Sequence, residues 1–344
     1  MPPISERRTA ATTMERDLMS TKVIVCFGEA LIDFLASPIA AGETRTFRQY
    51  AGGAPANAAV AVAKLGGRCE FIGMLGQDMF GDFLLDSLRE AGVAVHHVRR
   101  TAQAPTALAF VSLDAQGERS FSFYRPPAAD LLFRDADFED GGLAEAGFFH
   151  VCSNSLTDAG IAAATLSGMA RARAAGALVS IDLNLRPALW PDAIPSLPVL
   201  WQALEKADLV KLAQEELEFL EQGRMDDGAI VARLLRSARL VLLTDGAAPV
   251  RWHTRGGSGQ LPTFALRAVD TTAAGDAFIG GLLSQLQRCG VNANDFDAFL
   301  AQPSGLEGCL RYASACGALA VTRHGAFAAL PSHEEALALM DQQP

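Results

Sequence analysis

Residues 270–278 have the sequence Asp270-Thr271-Thr272-Ala273-Ala274-Gly275-Asp276-Ala277-Phe278. Apolar residues follow at helical spacing, which predicts that this run is the start of a helix: Phe278, Ile279, Leu282, Leu283 and Leu286. The small residues before Asp276 leave backbone N–H groups free to face an anion, and the helix dipole adds about half a positive charge there. A carboxylate at this place would repel a resting phosphate, but it could accept a proton from a hydroxyl that attacks one. The run therefore favours a phosphoryl-transfer site, although an ordinary Asp near a helix start remains open on this run alone.

A second motif lies far upstream, with the sequence Gly52-Gly53-Ala54-Pro55-Ala56-Asn57. It predicts a glycine turn followed by a helix that starts with proline and stops at Gly66-Gly67. Asn57 falls in the first turn of that helix, where an amide that faces a cleft can hydrogen-bond sugar hydroxyls. Taken together and in this order, the two motifs resemble those of the ribokinase family, also called the PfkB family, of sugar and nucleoside kinases. The resemblance covers the chain from Lys22 to about Met340.

The pattern along the chain predicts an α/β fold with a doubly wound, mostly parallel sheet flanked by helices, as in ribokinase-like proteins. Short apolar runs predict buried strands at residues 22–27, 70–74, 148–151, 178–181, 208–210 and 240–243. Helical stretches at 83–91 and 158–175 separate several of them. We expect residues 1–20 to form a loose N-terminal tail and residues 21–340 to form one kinase domain.

Two segments interrupt this rhythm, residues 34–50 and 105–126, and we call them the lid segments. The second one alternates polar and apolar residues on both sides of Asp114-Ala115-Gln116-Gly117, which predicts a β-hairpin. The family resemblance implies a small β lid over the sugar. An extra edge of the main sheet is the alternative.

Composition narrows the class of protein. Of 344 residues, 50% are hydrophobic and 20% charged, which excludes intrinsic disorder, and no apolar stretch is long enough to span a bilayer. A net charge of −10 argues against a nucleic-acid partner. Six scattered cysteines give neither a zinc pattern nor a disulfide framework. We expect no membrane partner and a cytoplasmic location.

Asp33 is the main candidate for binding sugar hydroxyls. It ends the sequence Gly28-Glu29-Ala30-Leu31-Ile32-Asp33 after the first predicted strand, at the carboxyl edge where open α/β sheets bind ligands. A carboxylate can accept two hydroxyls, and such bonds are worth ~1.5–3 kcal/mol each. Asn57, with Gly53 allowing a close backbone approach, would complete the floor of the site.

Two arginines are candidates for contacts with the substrates. Arg186, in Asp182-Leu183-Asn184-Leu185-Arg186-Pro187, could clamp the transferring phosphoryl group, or it could form a structural ion pair with Asp182 or Asp192. Arg125, which ends the predicted hairpin, would reach the substrate from the lid. A solvated arginine is the alternative for Arg125.

The resemblance implies an ATP groove formed by four positions: Lys211, Thr244, Gly246 and Ser314. It also implies that Glu216 holds Mg²⁺ through water, in a pattern whose first position is here Ala213 rather than Asn. Pro249 stands where the family has a glycine, and Ser314 replaces the usual Asn near the adenine. These departures put the affinity for ATP and the preference for purines in doubt.

A monovalent cation, K⁺ by its preference for such oxygen ligands, is also implied beside the anion-binding run. Its ligands would come from Asp270 and Thr272 and from a second loop that contains Ala320, Arg323 and Gly325. The alternative is that no cation binds and that Gly325 marks an ordinary turn at a helix end.

The sequence thus predicts an ATP-dependent carbohydrate kinase with Asp276 as general base, the amides of Ala273, Ala274 and Gly275 as anion hole, and Arg186 as phosphoryl clamp. An Asp with the ordinary pKa of ~3.9 does not ionise a sugar alcohol in the ground state, so positioning and electrostatics must dominate catalysis. The segments 27–34 and 123–130 resemble fructokinases most, which favours the 6-hydroxyl of fructose as the nucleophile. A 2-keto-3-deoxygluconate kinase and a degenerate sugar-binding regulator are the alternatives. We expect a homodimer that forms through the lid.

Overall fold

The structure is a computed structural model that describes residues 22–37, 44–113, 119–125, 127–139, 141–222 and 226–343. The predicted tail at 1–20 and the hairpin turn at 114–117 lie outside these residues. The strands are β1 (Val23–Phe27), β2 (Leu31–Ala36), β3 (Phe47–Gly52), β4 (Cys69–Gly76), β5 (Val98–Thr101), β6 (Leu108–Leu113), β7 (Arg119–Tyr124), β8 (Ala146–Cys152), β9 (Leu178–Asp182), β10 (Leu209–Ala213), β11 (Leu240–Thr244), β12 (Val250–Thr254) and β13 (Gly257–Leu261). The α-helices are α1 (Ala54–Lys64), α2 (Met79–Glu90), α3 (Ala159–Ala174), α4 (Leu197–Leu204), α5 (Gln214–Glu221), α6 (Asp227–Leu234), α7 (Ala274–Arg288), α8 (Phe296–Leu300), α9 (Pro303–Ala320) and α10 (His333–Gln342).

The main sheet has the strand order β13-β12-β11-β10-β9-β8-β1-β4-β5. Its strands from β11 to β5 run parallel, and β12 and β13 add an antiparallel hairpin at one edge. All six strands predicted from apolar runs are present, so the predicted mostly parallel sheet is confirmed. The edge hairpin was not predicted.

Successive residues of each central strand are buried on opposite faces of this sheet, because side chains alternate along a strand. On β1, Ile24 and Cys26 pack in a core with α1, α2, α7 and α9, whereas Val25 and Phe27 pack in a second core with α3 to α6. The sheet is therefore covered by helices on both sides, which confirms the doubly wound arrangement. None of the helices in the described residues is both long and apolar enough to cross a membrane.

A second, four-stranded sheet has the order β3-β2-β6-β7. Strands β6 and β7 pair antiparallel, which confirms the predicted hairpin, and β2 joins the two hairpins by pairing parallel with β6. We call this the lid sheet, because its strands come mainly from the lid segments. It follows β1 directly through Gly28, Glu29 and Ala30, so it lies at the carboxyl edge of the main sheet.

Candidate active site

A cleft of about 390 Å³ opens at the carboxyl ends of β9, β10 and β11 and beside the start of α7. Parallel strands bring their carboxyl ends to one edge, which is where open α/β sheets bind ligands. The cleft is lined by all the residues predicted for catalysis and nucleotide binding and by the predicted Mg²⁺ residue Glu216: Arg186, Lys211, Glu216, Thr244, Gly246, Ala273, Ala274, Gly275, Asp276 and Ser314. Residues that are distant in sequence are therefore brought together around one space.

The predicted anion hole is the first turn of α7. Ala273 precedes the helix in the left-handed conformation with φ of 59°, and the N–H of Ala277 makes a helical bond of 2.8 Å to its carbonyl. The N–H groups of a first helical turn have no helical acceptors, so they can bind an anion. A Cβ atom at Gly275 would come within 2.9 Å of the Lys211 Nζ atom, so glycine leaves room for that ammonium group at the helix start.

Lys211 is buried and contacts both carboxylate oxygens of Asp182, at 2.9 and 2.8 Å. Burial by itself lowers the pKa of Lys211, but Asp182 and Glu216 outweigh it and hold the pKa above its ordinary value. The lysine is therefore a permanent positive charge beside the anion hole. It was predicted only as part of the ATP groove, and its pairing with Asp182 was not predicted.

Asp276 is 7% exposed and receives a hydrogen bond from each of two amides. Asn57 Nδ2 donates to Oδ2 at 2.7 Å, and Asn184 Nδ2 donates to Oδ1 at 3.3 Å. Burial and the charge of Asp182 raise the pKa of Asp276 to about 7, although the bond from Asn57 lowers it. The expectation of an ordinary pKa was therefore wrong, because the helix start is buried under α1 and β9. A carboxylate with a pKa near 7 is a far better general base than an exposed one.

Asn57 lies on α1 in the first turn, as predicted. Its amide nitrogen is used by Asp276, while its buried Oδ1 atom has no partner within the described part of the chain. An oxygen in this state can accept a hydrogen bond from a hydroxyl of a ligand. Asn57 therefore orients the Asp276 carboxylate, a contact that the sequence did not indicate.

Asp33 and Gly53 lie where β2, β3 and α1 meet. Asp33 is half-buried, and a Cβ atom at Gly52 would come within 2.2 Å of its Oδ2 atom. Gly53 has a φ of 105°, and a Cβ there would come within 2.6 Å of the Glu29 carbonyl oxygen. The close approach expected at Gly53 is therefore made to the backbone after β1.

Arg125 does not reach the cleft as predicted. It is 1% exposed, and Asp130 Oδ2 accepts from its Nε and Nη2 atoms at 2.8 and 2.6 Å. The remaining guanidinium donors bind the Asn154 carbonyl at 2.7 Å and Thr157 Oγ1 at 3.1 Å. The chain turns inward after β7, so this arginine is a buried structural residue and the expectation of a lid cation was wrong.

Arg186 is exposed at the mouth of the cleft, and its guanidinium donates to the Leu185 carbonyl at 3.4 Å. Asp182, one partner that we considered for it, is occupied by Lys211. Within the ranges that the structure describes, Arg186 forms no ion pair, with Asp192 or with any other carboxylate. Its charge is therefore available to a ligand in the cleft.

The far end of the cleft is more apolar and contains Val250, Phe264 and Val321. Ser314 Oγ is buried there and has no partner among the described residues, whereas Thr244 Oγ1 donates to the Leu212 carbonyl at 3.4 Å. Gly246 adopts a φ of 49° in the turn after β11. This end could hold a flat, largely apolar group and offers it one free hydroxyl.

Glu216 connects two loops of the cleft. Its Oε1 accepts from the Leu185 N–H at 2.6 Å, and its Oε2 accepts from the Ala213 N–H at 2.7 Å. Burial raises the pKa of Glu216, although Lys211 lowers it. Each oxygen keeps a further lone pair, so the carboxylate can also bind a metal-bound water. Among the described residues no group of three or more His, Cys, Asp and Glu side chains is arranged to hold a metal.

Asp270 connects the run before α7 to the loop after α9. Its Oδ1 accepts from the Thr272 N–H at 2.8 Å, and its Oδ2 accepts from the Gly325 N–H at 3.2 Å. Arg323 is paired with Glu335 through its side chain, so only its backbone carbonyl, like that of Ala320, could serve as a cation ligand. The buried Asp270 carboxylate thus connects the two segments that the resemblance implies for a cation, and carboxylate and carbonyl oxygens are ligands that suit K⁺.

Two residues of this region were missed as functional candidates. Asn184 was only quoted within a motif, yet it bonds to Asp276 and has a φ of 40°. Glu29 was also only quoted, yet it is 1% exposed and accepts a bond from the first residue of α1. The available signal in each case was a polar residue shortly after a predicted buried strand.

Comparison with known proteins agrees with this geometry. Residues 21–333 match the family model described as pfkB family carbohydrate kinase. The chain is 40% identical to probable fructokinase-3 of Arabidopsis thaliana over 97% of this chain and 94% of that protein. Its fold is similar to that of Xylella fastidiosa fructokinase with bound ATP, with 54% identity, a TM-score of 0.90 and coverage of 94% and 99% of the two chains. It is also similar to Vibrio cholerae O395 fructokinase in its form with fructose, ADP and calcium ion, with 31% identity, a TM-score of 0.81 and coverage of 93% and 99%. The chain belongs to the pfkB family of carbohydrate kinases.

Proposed function

We propose that this protein is an ATP-dependent fructokinase that phosphorylates the 6-hydroxyl of fructose, with Asp276 as general base. The observation that carries the proposal is the placement of Asp276, bonded to Asn57 at 2.7 Å, directly at a helix start beside Lys211. A base, an anion hole and a fixed cation then surround one point. The similarity to the fructokinases named above supports fructose as the sugar.

Phosphoryl transfer would proceed by in-line attack of the bound hydroxyl on the γ-phosphorus of ATP. Asp276 takes the proton of the hydroxyl as the new O–P bond forms, and ADP leaves. Lys211, Arg186 and the N–H groups at the start of α7 stabilise the charge on the transferring group. Because Asp276 has a pKa of about 7, it is partly ionised at neutral pH and still basic enough to accept the proton.

The sugar would bind between the lid sheet and the start of α1. Asp33 accepts hydroxyl hydrogens from the sugar, and the unpartnered Oδ1 of Asn57 accepts another. The four-stranded sheet acts as the lid that covers the sugar. Since Arg125 is neutralised by Asp130, it is not available to pair with the carboxylate of a keto-acid substrate.

The nucleotide would lie along the rest of the cleft. The nucleobase of ATP would fit the apolar end of the cleft with Val250 and Phe264, where the buried Ser314 hydroxyl can hydrogen-bond to its edge. The phosphates would extend past Thr244 and Gly246 to α7. The Ser314 hydroxyl replaces an amide that could make two hydrogen bonds to the nucleobase. Selectivity for purines would therefore depend on the bonding of this one hydroxyl.

Two cations fit the donors that are present. Mg²⁺, which prefers oxygen ligands and keeps several waters, would be held through water by Glu216 and by the nucleotide phosphates, and would neutralise phosphate charge. K⁺ would be held at Asp270 and Thr272 and at carbonyls of Ala320, Arg323 and Gly325. Their tests are activation by each salt and the loss of that activation in Glu216→Gln and Asp270→Asn.

A homodimer through the lid sheet and a cytoplasmic location complete the proposal. Aromatic side chains contact one another on this sheet, with Phe34–Phe110, Phe47–Phe110 and Phe110–Tyr124 ring centroids 5.1 to 5.3 Å apart. Phe47 and Tyr124 are 40% and 65% exposed, and exposed aromatic patches commonly mark interfaces. Sedimentation of wild type and Tyr124→Glu would test the dimer.

The proposed cytoplasmic location rests on the cysteines. Six free cysteines suit the reducing cytoplasm.

The decisive experiment is a panel of sugars and 2-keto-3-deoxygluconate assayed for ADP release by the purified protein with ATP and Mg²⁺. We expect fructose to give the highest kcat/KM. NMR of the product should show the phosphate on oxygen 6. A keto-acid at least a hundredfold better than fructose would refute the sugar assignment. Sugar binding without ADP release would instead support a regulator.

A further inference from the structure

Glu29 is a buried acid that the chemistry above does not use. It follows β1 and is 1% exposed, and its Oε1 accepts from the Ala54 N–H at 3.2 Å and from Asn154 Nδ2 at 3.0 Å. The thiol of Cys152 lies 3.7 Å from each carboxylate oxygen. A carboxylate in such a place costs free energy unless its partners compensate, so its contacts indicate a specific role.

Helix α1 has no cap of its own. Gly53 is at its N-cap position and has no side chain that could accept a hydrogen bond from the helix. Glu29 provides one from outside the helix, because it accepts the N–H of Ala54, the first helical residue, and places a negative charge at the positive helix end. Ser, Thr, Asp or Asn usually does this from the N-cap itself.

The helix start that Glu29 holds is also the part that carries Asn57. The Asn57 N–H bonds to the Gly53 carbonyl at 2.7 Å, so the side chain of Asn57 moves with the first turn. From there Nδ2 reaches Asp276 Oδ2 at 2.7 Å. A displacement of the first turn would therefore displace the group that orients the base.

We propose that Glu29 is a positioning residue for catalysis: by binding the Ala54 N–H it fixes the first turn of α1, and so the Asn57 amide, against Asp276. The proposal rests on the assignment of Asp276 as the base. Glu29 touches neither the reacting atoms nor Asp276, and it acts through the helix.

Glu29 also connects this helix to the end of the lid sheet. The guanidinium of Arg125, the residue after β7, shares Asn154 with it, since Asn154 donates to Glu29 while its carbonyl accepts from Arg125 at 2.7 Å. Burial raises the pKa of Glu29, and the charge of Arg125 together with the bond from Asn154 lowers it. The carboxylate is thus held between the Ala54 N–H at the start of α1 and the amide of Asn154, whose carbonyl binds Arg125.

The test compares Glu29→Ala with Glu29→Gln and with a matched control. Glu29→Ala removes the acceptor, and we expect kcat with fructose to fall about tenfold to a hundredfold, the cost of a misplacement of about 1 Å, while the KM for ATP stays within twofold. Glu29→Gln keeps an acceptor oxygen and should restore kcat to within about threefold of wild type. Thr157→Val removes two bonds of the same buried cluster, one with Arg125 and one with the Asn154 carbonyl, but leaves every bond of Glu29 in place, and its kcat should be unchanged within twofold.

A double-variant experiment separates positioning from general loosening of the fold. In an Asn57→Ala background, Glu29→Ala should lower kcat by less than a further twofold, because the orienting amide is already absent. Losses that multiply, or a Glu29→Ala enzyme with kcat within twofold of wild type, would overturn the proposal.

A second variant removes the same bond from the donor side if Glu29→Ala does not fold. Ala54→Pro deletes the N–H at a helix position that tolerates proline, and it should give the same loss of kcat. Normal kcat in this variant would equally overturn the proposal. If wild type releases no ADP with any sugar, the proposed function fails instead, so the two failures are distinguishable.

Discussion

The raised pKa of Asp276 predicts a specific pH dependence of kcat/KM. In the proposed mechanism the active form is the carboxylate, so we expect activity to rise with pH through the pKa of about 7 and to fall below it. At pH 5, two units lower, ~1% of the base is ionised, and kcat/KM should be about a hundredfold below its plateau. An Asp with the ordinary pKa of ~3.9 would be ~90% ionised at pH 5, and the loss would be almost nil.

The assay is ADP release from pH 5 to pH 9, with both substrates well below their KM values so that the free enzyme titrates. ATP also titrates near neutral pH, so the profile of wild type is divided by that of Asp276→Asn, which experiences the same nucleotide. Asn57→Ala removes a bond that lowers the pKa, and its acid limb should therefore move to higher pH. A ratio that is flat from pH 5 to pH 7 would refute the placement of a buried base at the start of α7.

Three further predictions concern single side chains. Asp33→Ala should cost ~2–3 kcal/mol through the KM for the sugar, while the KM for ATP barely moves, and an unchanged sugar KM in steady-state kinetics would move the sugar site elsewhere. Ala273→Gly should raise the free energy of unfolding by about 0.5–1 kcal/mol in urea titrations, because relief of the left-handed conformation outweighs the added chain entropy, and a lower value would contradict it. Arg125→Gln should lower the free energy of unfolding by about 3 kcal/mol or more, since Asp130 loses its buried partner. The fructose KM of the protein that remains folded should stay within threefold of the wild-type value. A raised fructose KM with an unchanged free energy of unfolding would instead indicate that Arg125 contacts the substrate.

Secondary structure could be predicted from the sequence wherever burial requires a recognisable pattern of apolar residues. Central strands such as β1 and β11 are covered on both faces, so they consist almost wholly of apolar residues. The edge strand β13 has the sequence Gly-Ser-Gly-Gln-Leu and is largely exposed, so it carries no such pattern. Its existence depends on pairing with β12, which only the structure shows.

The site was predictable in its residue types and less so in its contacts. A row of small residues before Asp276 indicates a possible anion site by local chemistry, and the family resemblance is what favours that interpretation over an ordinary helix start. By contrast, the partners of Asn57 and Arg125 come from α7 and from the segment after β7, and local sequence does not encode which donor meets which acceptor. The pKa of Asp276 could not be predicted for the same reason, because burial depends on elements distant in sequence.

The lid sheet is assembled from two separate pieces of chain, with α1, β4, α2 and β5 between them. Strand β2 must pair with β6 across that interval, so neither piece is a complete unit. An engineer who wishes to exchange the sugar preference of such an enzyme for that of a relative cannot transplant one contiguous cassette. Both pieces would have to be replaced together. Recombination between homologous genes at a single crossover within that interval would join mismatched halves of the lid, and such chimaeras should be poor starting points for directed evolution.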